Sequence, residues 1–263
     1  MKIGIVGHGA MAGALRGVLA QEGAALGAVL VRPGGAERVR AALPADVAVA
    51  ETLGDFLASG VTVVAECAGH GALQAHGPGI LAAGRDLVVA AVGALADPEL
   101  ETRLRAASAC GGRLVIPAGA VGGLDALAAA RRAGLSSVRY VSRKPPAAWL
   151  GTPAERVADL SALTAAAAVF TGTAREAALA FPQNANVVAA IALAGLGFDE
   201  TQVTLMADPA VTGNRHTIEA EGAFGRMSVT MEGRPLPDNP KTSMLAPYSL
   251  ARAVLNLDAR VVV

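Results

Sequence analysis

Aromatic rings are scarce in this chain. Phe, Tyr and Trp make up 3% of 263 residues, which leaves no ring platform for stacking single-stranded bases. Net charge is missing too: Lys+Arg and Asp+Glu balance at 22 each, so there is no basic stripe for nucleic acid and no polybasic anchor for a membrane surface. The two cysteines, Cys67 and Cys110, have no metal-ligand spacing and make no disulfide framework. That usage fits a reducing cytoplasm and predicts no metal site. The longest apolar run, 187–198, is too short to span a bilayer. Arg16 and the glycines at 7, 9 and 13 set the first twenty residues apart from a signal peptide. No repeat recurs at a fixed period, and alanine-rich patches such as "LTAAAAVF" read as helix surface or tight packing rather than disorder.

What is present is apolar and patterned. The chain is 53% apolar and 17% charged, enough for one or two cores. Through residue 116, strand-like runs (2–6, 26–31, 61–65, 87–90, 114–116) alternate with helical stretches (11–20, 73–83, 98–109). Asp97 before Pro98 is a helix start, a cap followed by proline in the first turn. Continuous apolar strands with helical crossovers predict a Rossmann-type, doubly wound parallel sheet. After Pro117 the pattern changes to alternating strands at 137–143, 202–207, 216–221 and 227–231. Thr173 and Glu176 form a capping box, and a second helix is expected over 187–196. Strands in succession predict an α+β domain with a mostly antiparallel sheet covered by helices on one face. The end reads as a helix over 243–255 and a short strand at 260–263. No Pro/Gly/Ser-rich linker separates the halves.

The opening "KIGIVGHGAMAGAL" places Gly7, Gly9 and Ala12 in a G-x-G-x-x-A arrangement between a strand and a helix. Gly7 would make the tight turn, Gly9 would let backbone approach a pyrophosphate, and Ala12 would hold the helix close to the strand. The amides of Ala10 and Met11, at the positive end of the helix, would face the phosphates. A dinucleotide is therefore expected. Where NAD-specific domains carry an acid at the end of the second strand, this chain reads "AVLVRPGG", with Arg32 there. Arg32 is either a solvated loop residue or a guanidinium for a 2′-phosphate, which predicts that NADP is accepted and leaves NAD open. Cys67 stands at a strand's C-terminal end, where ligands bind in open α/β sheets. It reads as a small packing residue near the nicotinamide, since no base is placed to activate it.

The stretch "TGNRHTIEAEGAFG" contains one of only four histidines. His216, Ile218 and Ala220 share one parity, and Thr217, Glu219 and Glu221 the other, so His216 faces inward with the apolar set. The strand by itself allows two roles: a core histidine bonded to a backbone carbonyl, or a functional imidazole.

Six stretches in order, "VVAECAGHGAL", "PAGAVGGLDAL", "RKPPAAWLGTPAE", "FPQNANVVAA", "DPAVTGNRHTIEAEGAFG" and "NPKTSMLAPYSLARAV", resemble the L-aspartate dehydrogenase family from end to end. The resemblance implies NAD(P)-dependent oxidative deamination of L-aspartate to iminoaspartate, which hydrolyses to oxaloacetate or feeds NAD biosynthesis, in a cytoplasmic homodimer. It implies His216 as the catalytic histidine, and Ala120 and Asn186 as cofactor contacts. It also implies that the C-terminal segment returns to the nucleotide domain, giving 1–117 with 241–263 as one domain and 118–240 as the substrate, catalytic and dimerisation domain. Arg32 departs from members that carry an acid at that place.

The chemistry suits these residue types. Hydride leaves Cα only from a neutral amine, and later water attack on the imine needs a proton taken and returned; histidine titrates in the right range. Burial would keep it neutral at pH 7. A dicarboxylate needs cations and donors. The candidates are Arg143, Lys144 and Lys241, with Asn214, Thr242 and Ser243 as donors, "NPKTS" being expected at a helix N-terminus. Arg143 and Lys144 could equally be a solvated strand end. Two further readings compete: an imine or dihydrodipicolinate-type reductase using NADPH, and a non-enzymatic NADP-binding sensor.

Overall fold

The structure, a computed structural model, describes residues 1–236 and 239–262, with the side chains of 183 and 239–241 outside the description. Two compact units emerge: residues 1–119 with 246–263, and residues 120–245.

The first unit alternates strand and helix: β1 (Ile3–Val6), α1 (Ala10–Gln21), β2 (Leu26–Leu30), α2 (Ala36–Arg40), β3 (Ala48–Ala50), α3 (Leu53–Ala58), β4 (Val63–Glu66), α4 (His70–Ala82), β5 (Asp86–Val89), α5 (Pro98–Ser108) and β6 (Leu114–Val115). All its strands are parallel, in the order β3-β2-β1-β4-β5-β6. The order reverses at β1, the switch point of a doubly wound sheet. Ile3 and Ile5 of β1 pack with Leu15 and Leu19 of α1, Val63 and Ala65 of β4, and Val88 of β5. Asp97 caps α5 through Oδ1, which accepts from the amides of Glu99 and Leu100.

The second unit comprises α6 (Leu124–Ala133), β7 (Leu135–Lys144), β8 (Ala167–Thr173), α7 (Ala174–Ala180), α8 (Ala185–Ala194), β9 (Gln202–Ala207), β10 (Asn214–Gly222), β11 (Gly225–Gly233), β12 (Pro235–Leu236) and β13 (Asn239–Ser243). Its five-stranded sheet runs β11-β10-β7-β9-β8. Every neighbouring pair is antiparallel except β7 with β9. The capping box at Thr173 and Glu176 forms in both directions. The final helix α9 (Leu245–Leu255) belongs to the first unit from Ala246 onward, where Leu250, Ala251 and Val254 join the core around β1. Burying Leu250 and Val254 contributes about 1.5–3 kcal/mol each. Ser249 Oγ accepts from the Gly119 amide at 2.9 Å and ties the returning helix to the end of the first segment.

Several elements differ from the sequence reading. Ala167–Phe170 of the alanine-rich patch lie in β8, not in a helix, because pairing with β9 outweighs alanine's helix preference. β3 has only three residues, too few for a periodic signal. Residues 239–243 form β13 and pair with β12, so Thr242 and Ser243 are strand residues rather than a helix start. By packing, the units divide at 119/120 and at 245/246. Residues 260 and 261 form bends and 262 has no regular structure, so the described part of the expected strand over 260–263 is absent.

Candidate active site

In the first unit, β1 runs into a turn at Gly7, whose φ is +101°. A Cβ there would come within 2.9 Å of Ala68 Cβ, so the turn excludes larger residues. Gly9 caps α1 in extended conformation with no side chain bonded over the helix end, and a Cβ on it or on Gly13 would meet only open space. Ala10 and Met11 open the helix, and Ala12 is buried against the sheet. These features fit a dinucleotide: free amides at a helix N-terminus with room for a phosphate to approach. His8 Nδ1 lies 3.2 Å from Arg16 Nη1, and burial together with Arg16 and Arg38 holds this imidazole below its usual range.

Arg32 is exposed just beyond β2. Its carbonyl accepts from Gly35 N at 3.0 Å across a turn with Pro33 and a positive-φ Gly34. Glu51 Oε1 accepts from the Ala36 amide at 2.8 Å and so occupies the start of α2. Cys67 follows β4, where burial and then the Glu66 charge push its thiol well up, which agrees with a packing role. The Glu66 carboxylate is buried and accepts from the amides of Ala68, Gly69 and Ala91 at 2.6–2.9 Å. It thus fixes the loops after β4 and β5; nothing in the linear pattern marked it for this.

In the second unit, His216 is 4% exposed on the inward face of β10. Its Nδ1 is 2.6 Å from Tyr140 Oη, leaving Nε2 as the remaining ring nitrogen. Burial and then the Lys144 charge hold its pKa down at about 4, so the ring is neutral at pH 7. Tyr140 is itself buried, and desolvation pushes its phenol up while the Ser142 hydroxyl works the other way. Ser142 stands opposite His216 across the β7–β10 ladder. Tyr140, Ser142 and Lys144 share one parity of β7 and hence one face. Lys144 Nζ donates to Asn184 Oδ1 and lies 5.5 Å from the centre of the Trp149 ring, with burial lowering its pKa to about 8.

Of the expected substrate residues, the structure brings Lys144 to His216. Arg143 has the opposite parity and pairs with Asp208 at 3.2 Å. Asn214 opens β10 on the His216 parity. Ser243 is buried, and its Oγ accepts from Leu245 N at 3.4 Å; Thr242 is half-buried. The Lys241 side chain lies outside the described residues. Of the two expected cofactor contacts in this unit, Ala120 is half-buried at its first residue and Asn186 is exposed in the first turn of α8. The neighbouring Asn184 accepts from Lys144. Tyr140 and Asn184 were missed by sequence reasoning; the parity of 140, 142 and 144 was the available signal. Among the described residues no group of three or more His, Cys, Asp or Glu could hold a metal, and no helix is long and apolar enough to cross a membrane.

A Rossmann-type unit opened by a glycine turn, joined to a sheet unit with a buried neutral histidine, is the build of a two-domain NAD(P)-dependent oxidoreductase. Residues 3–117 match the NAD-binding domain of homoserine dehydrogenase and residues 125–257 the C-terminal domain of aspartate dehydrogenase. The chain is 53% identical over 195 residues to an L-aspartate dehydrogenase of Pseudomonas aeruginosa, covering 74% of this chain and 73% of that one. It is 47% identical to that of Ruegeria pomeroyi, covering 97% and 91%. The crystal structure of the Thermotoga maritima aspartate dehydrogenase superposes with a TM-score of 0.78 at 26% identity, covering 100% of this chain and 99% of that one. The chain belongs to the L-aspartate dehydrogenase family.

Proposed function

We propose that the protein oxidises L-aspartate with NAD or NADP to iminoaspartate, which water converts to oxaloacetate and ammonia. The observation that carries this reading is His216: buried, neutral, bonded through Nδ1 to Tyr140 and neighboured by Lys144, in a chain of this family. Gly7, Gly9, Ala10, Met11 and Ala12 would hold the pyrophosphate, Arg32 would meet a 2′-phosphate, and Cys67, Ala120 and Asn186 would border the rest of the nucleotide. When bound, the nicotinamide accepts a hydride. His216, whose Nδ1 is taken by Tyr140, would exchange a proton through Nε2 with the water that adds to the imine. Tyr140 fixes the ring, so that it offers one nitrogen in one orientation. Lys144, Asn214, Thr242, Ser243 and Lys241 surround the diacid, while Arg143 is already committed to Asp208. The enzyme works in the cytoplasm as a homodimer, and its iminoaspartate enters pyridine nucleotide biosynthesis.

A panel of amino acids with NAD and with NADP, followed by absorbance of the reduced nicotinamide, tests this. Turnover confined to L-aspartate or strongly favouring it is expected. NADPH oxidation with cyclic imines and none with oxaloacetate plus ammonia would replace it with the reductase reading. Tight nucleotide binding without any turnover would leave a sensor.

A further inference from the structure

β7 ends on Lys144, whose partners are all uncharged: the Asn184 side-chain carbonyl, the face of Trp149, and the neighbouring imidazole of His216. Trp149 is held in place by its Nε1 donating to the Met206 carbonyl at 3.1 Å and by an edge contact with Phe181 at 5.9 Å. Asp208 is the adjacent carboxylate, since its amide bonds to the Lys144 carbonyl, but its charge is engaged by Arg143. Among the described residues no acid pairs with Lys144. A lysine kept half-buried among neutral groups is poorly built as a permanent countercharge and well built to give up and regain a proton.

We propose that Lys144 is the base that removes the proton from the substrate's ammonium group. The inference rests on the reading that the substrate is an amino acid. The N–H bond of the ammonium breaks, its electrons stay on nitrogen as the lone pair that drives hydride loss from Cα, and the proton bonds to Nζ. The neutral lysine becomes an ammonium, and no group is oxidised or reduced in that step.

Proton affinities divide the work between the two groups. Burial lowers Lys144 only to about 8 while His216 is held down at about 4, so the lysine is the stronger base of the two. An aliphatic ammonium ordinarily titrates near ~10, which makes Lys144 the far closer match. Water adding to a cationic iminium grows acidic as its bond forms, and for that step a weak base such as His216 suffices. The groups around Lys144 are His216 from β10, Tyr140 and Ser142 on the same face of its own strand, Asn184 before α8 and Trp149 after β7, while the Asp208–Arg143 pair meets it only through the backbone, Arg143 lying on the opposite face of β7. Tyr140 is pushed above its usual range and His216 below, so a limb near pH 8 belongs to Lys144.

The test measures kcat and KM for L-aspartate against pH at saturating nucleotide. In the wild type kcat/KM rises with pH to a plateau above about 8. Lys144→Ala lowers kcat by about 10²- to 10⁴-fold, removes that limb, and regains turnover with added primary amines, more so with more basic ones. Lys144→Arg fails to restore kcat because a guanidinium does not deprotonate. Asn184→Ala, which keeps the lysine, moves the limb while nucleotide affinity stays put, and it decides the matter should Lys144→Ala not fold. A Lys144→Ala enzyme impaired only in KM, recovery in Lys144→Arg, or an unmoved limb in Asn184→Ala would make Lys144 a carboxylate clamp and overturn the proposal. Wild-type silence toward L-aspartate would strike the dehydrogenase reading instead, so the two failures are distinct.

Discussion

At the scale of single residues, the inward parity of His216 could be read from alternation because a strand has a period of two. Its partner could not: Tyr140 is 76 positions away and meets the ring only through the β7–β10 register. Asn184 reaches Lys144 from a turn 40 residues on, a contact that no local pattern marks. The depressed histidine has a consequence for stability. The folded-state pKa of about 4 lies below the ordinary 6.5, so its contribution is present above pH 6.5 and is lost as pH falls toward 4. The loss amounts to about 3 kcal/mol over that window. Urea midpoints at pH 7 and pH 4.5 should differ less for His216→Gln than for wild type; equal acid sensitivity would mean that the ring is solvated. Arg32→Asp should move the NADP/NAD preference toward NAD, as the ratio of kcat/KM values will report. An unchanged ratio would remove Arg32 from the cofactor site.

Secondary-structure elements were legible in proportion to their length and to the strength of their end signals. Asp97–Pro98 and Thr173–Glu176 mark helix starts with side chains that bond the first free amides, and both form as read. β8 was hidden because four successive alanines favour a helix, and only the β9 ladder places the last two of them, Ala167 and Ala168, in a sheet. The 239–243 segment was misread for a related reason: its role depends on pairing with β12, which lies outside any local pattern. The strand–turn–helix at the amino terminus bears the clearest expectation. Gly7→Ala places a Cβ at positive φ and against Ala68, so it should cost about 1–3 kcal/mol and weaken nucleotide binding. Calorimetry with and without nucleotide checks both, and a variant as stable and as tight-binding as wild type would contradict this account of the turn. Thr173→Ala should cost about 1 kcal/mol through the lost cap while leaving kcat unchanged.

For the whole molecule, composition and the two successive patterns were enough to foresee a nucleotide unit followed by a sheet unit, and the return of the final helix came from the family resemblance. On the proposed function the chemistry needs both units: one would hold a nucleotide by backbone amides, the other would supply the groups that move protons. Nucleotide at 100 times its Kd should raise stability by about 2.7 kcal/mol in wild type. His216→Ala should keep that increment, because the proposed function gives the histidine a proton-transfer role and no part in holding the nucleotide. The most direct test of the account is therefore the kcat of His216→Ala with L-aspartate at saturating nucleotide, alongside nucleotide affinity by calorimetry. A fall in kcat of about two to four decades with affinity unchanged is predicted. Turnover equal to wild type would contradict the central role given to this imidazole.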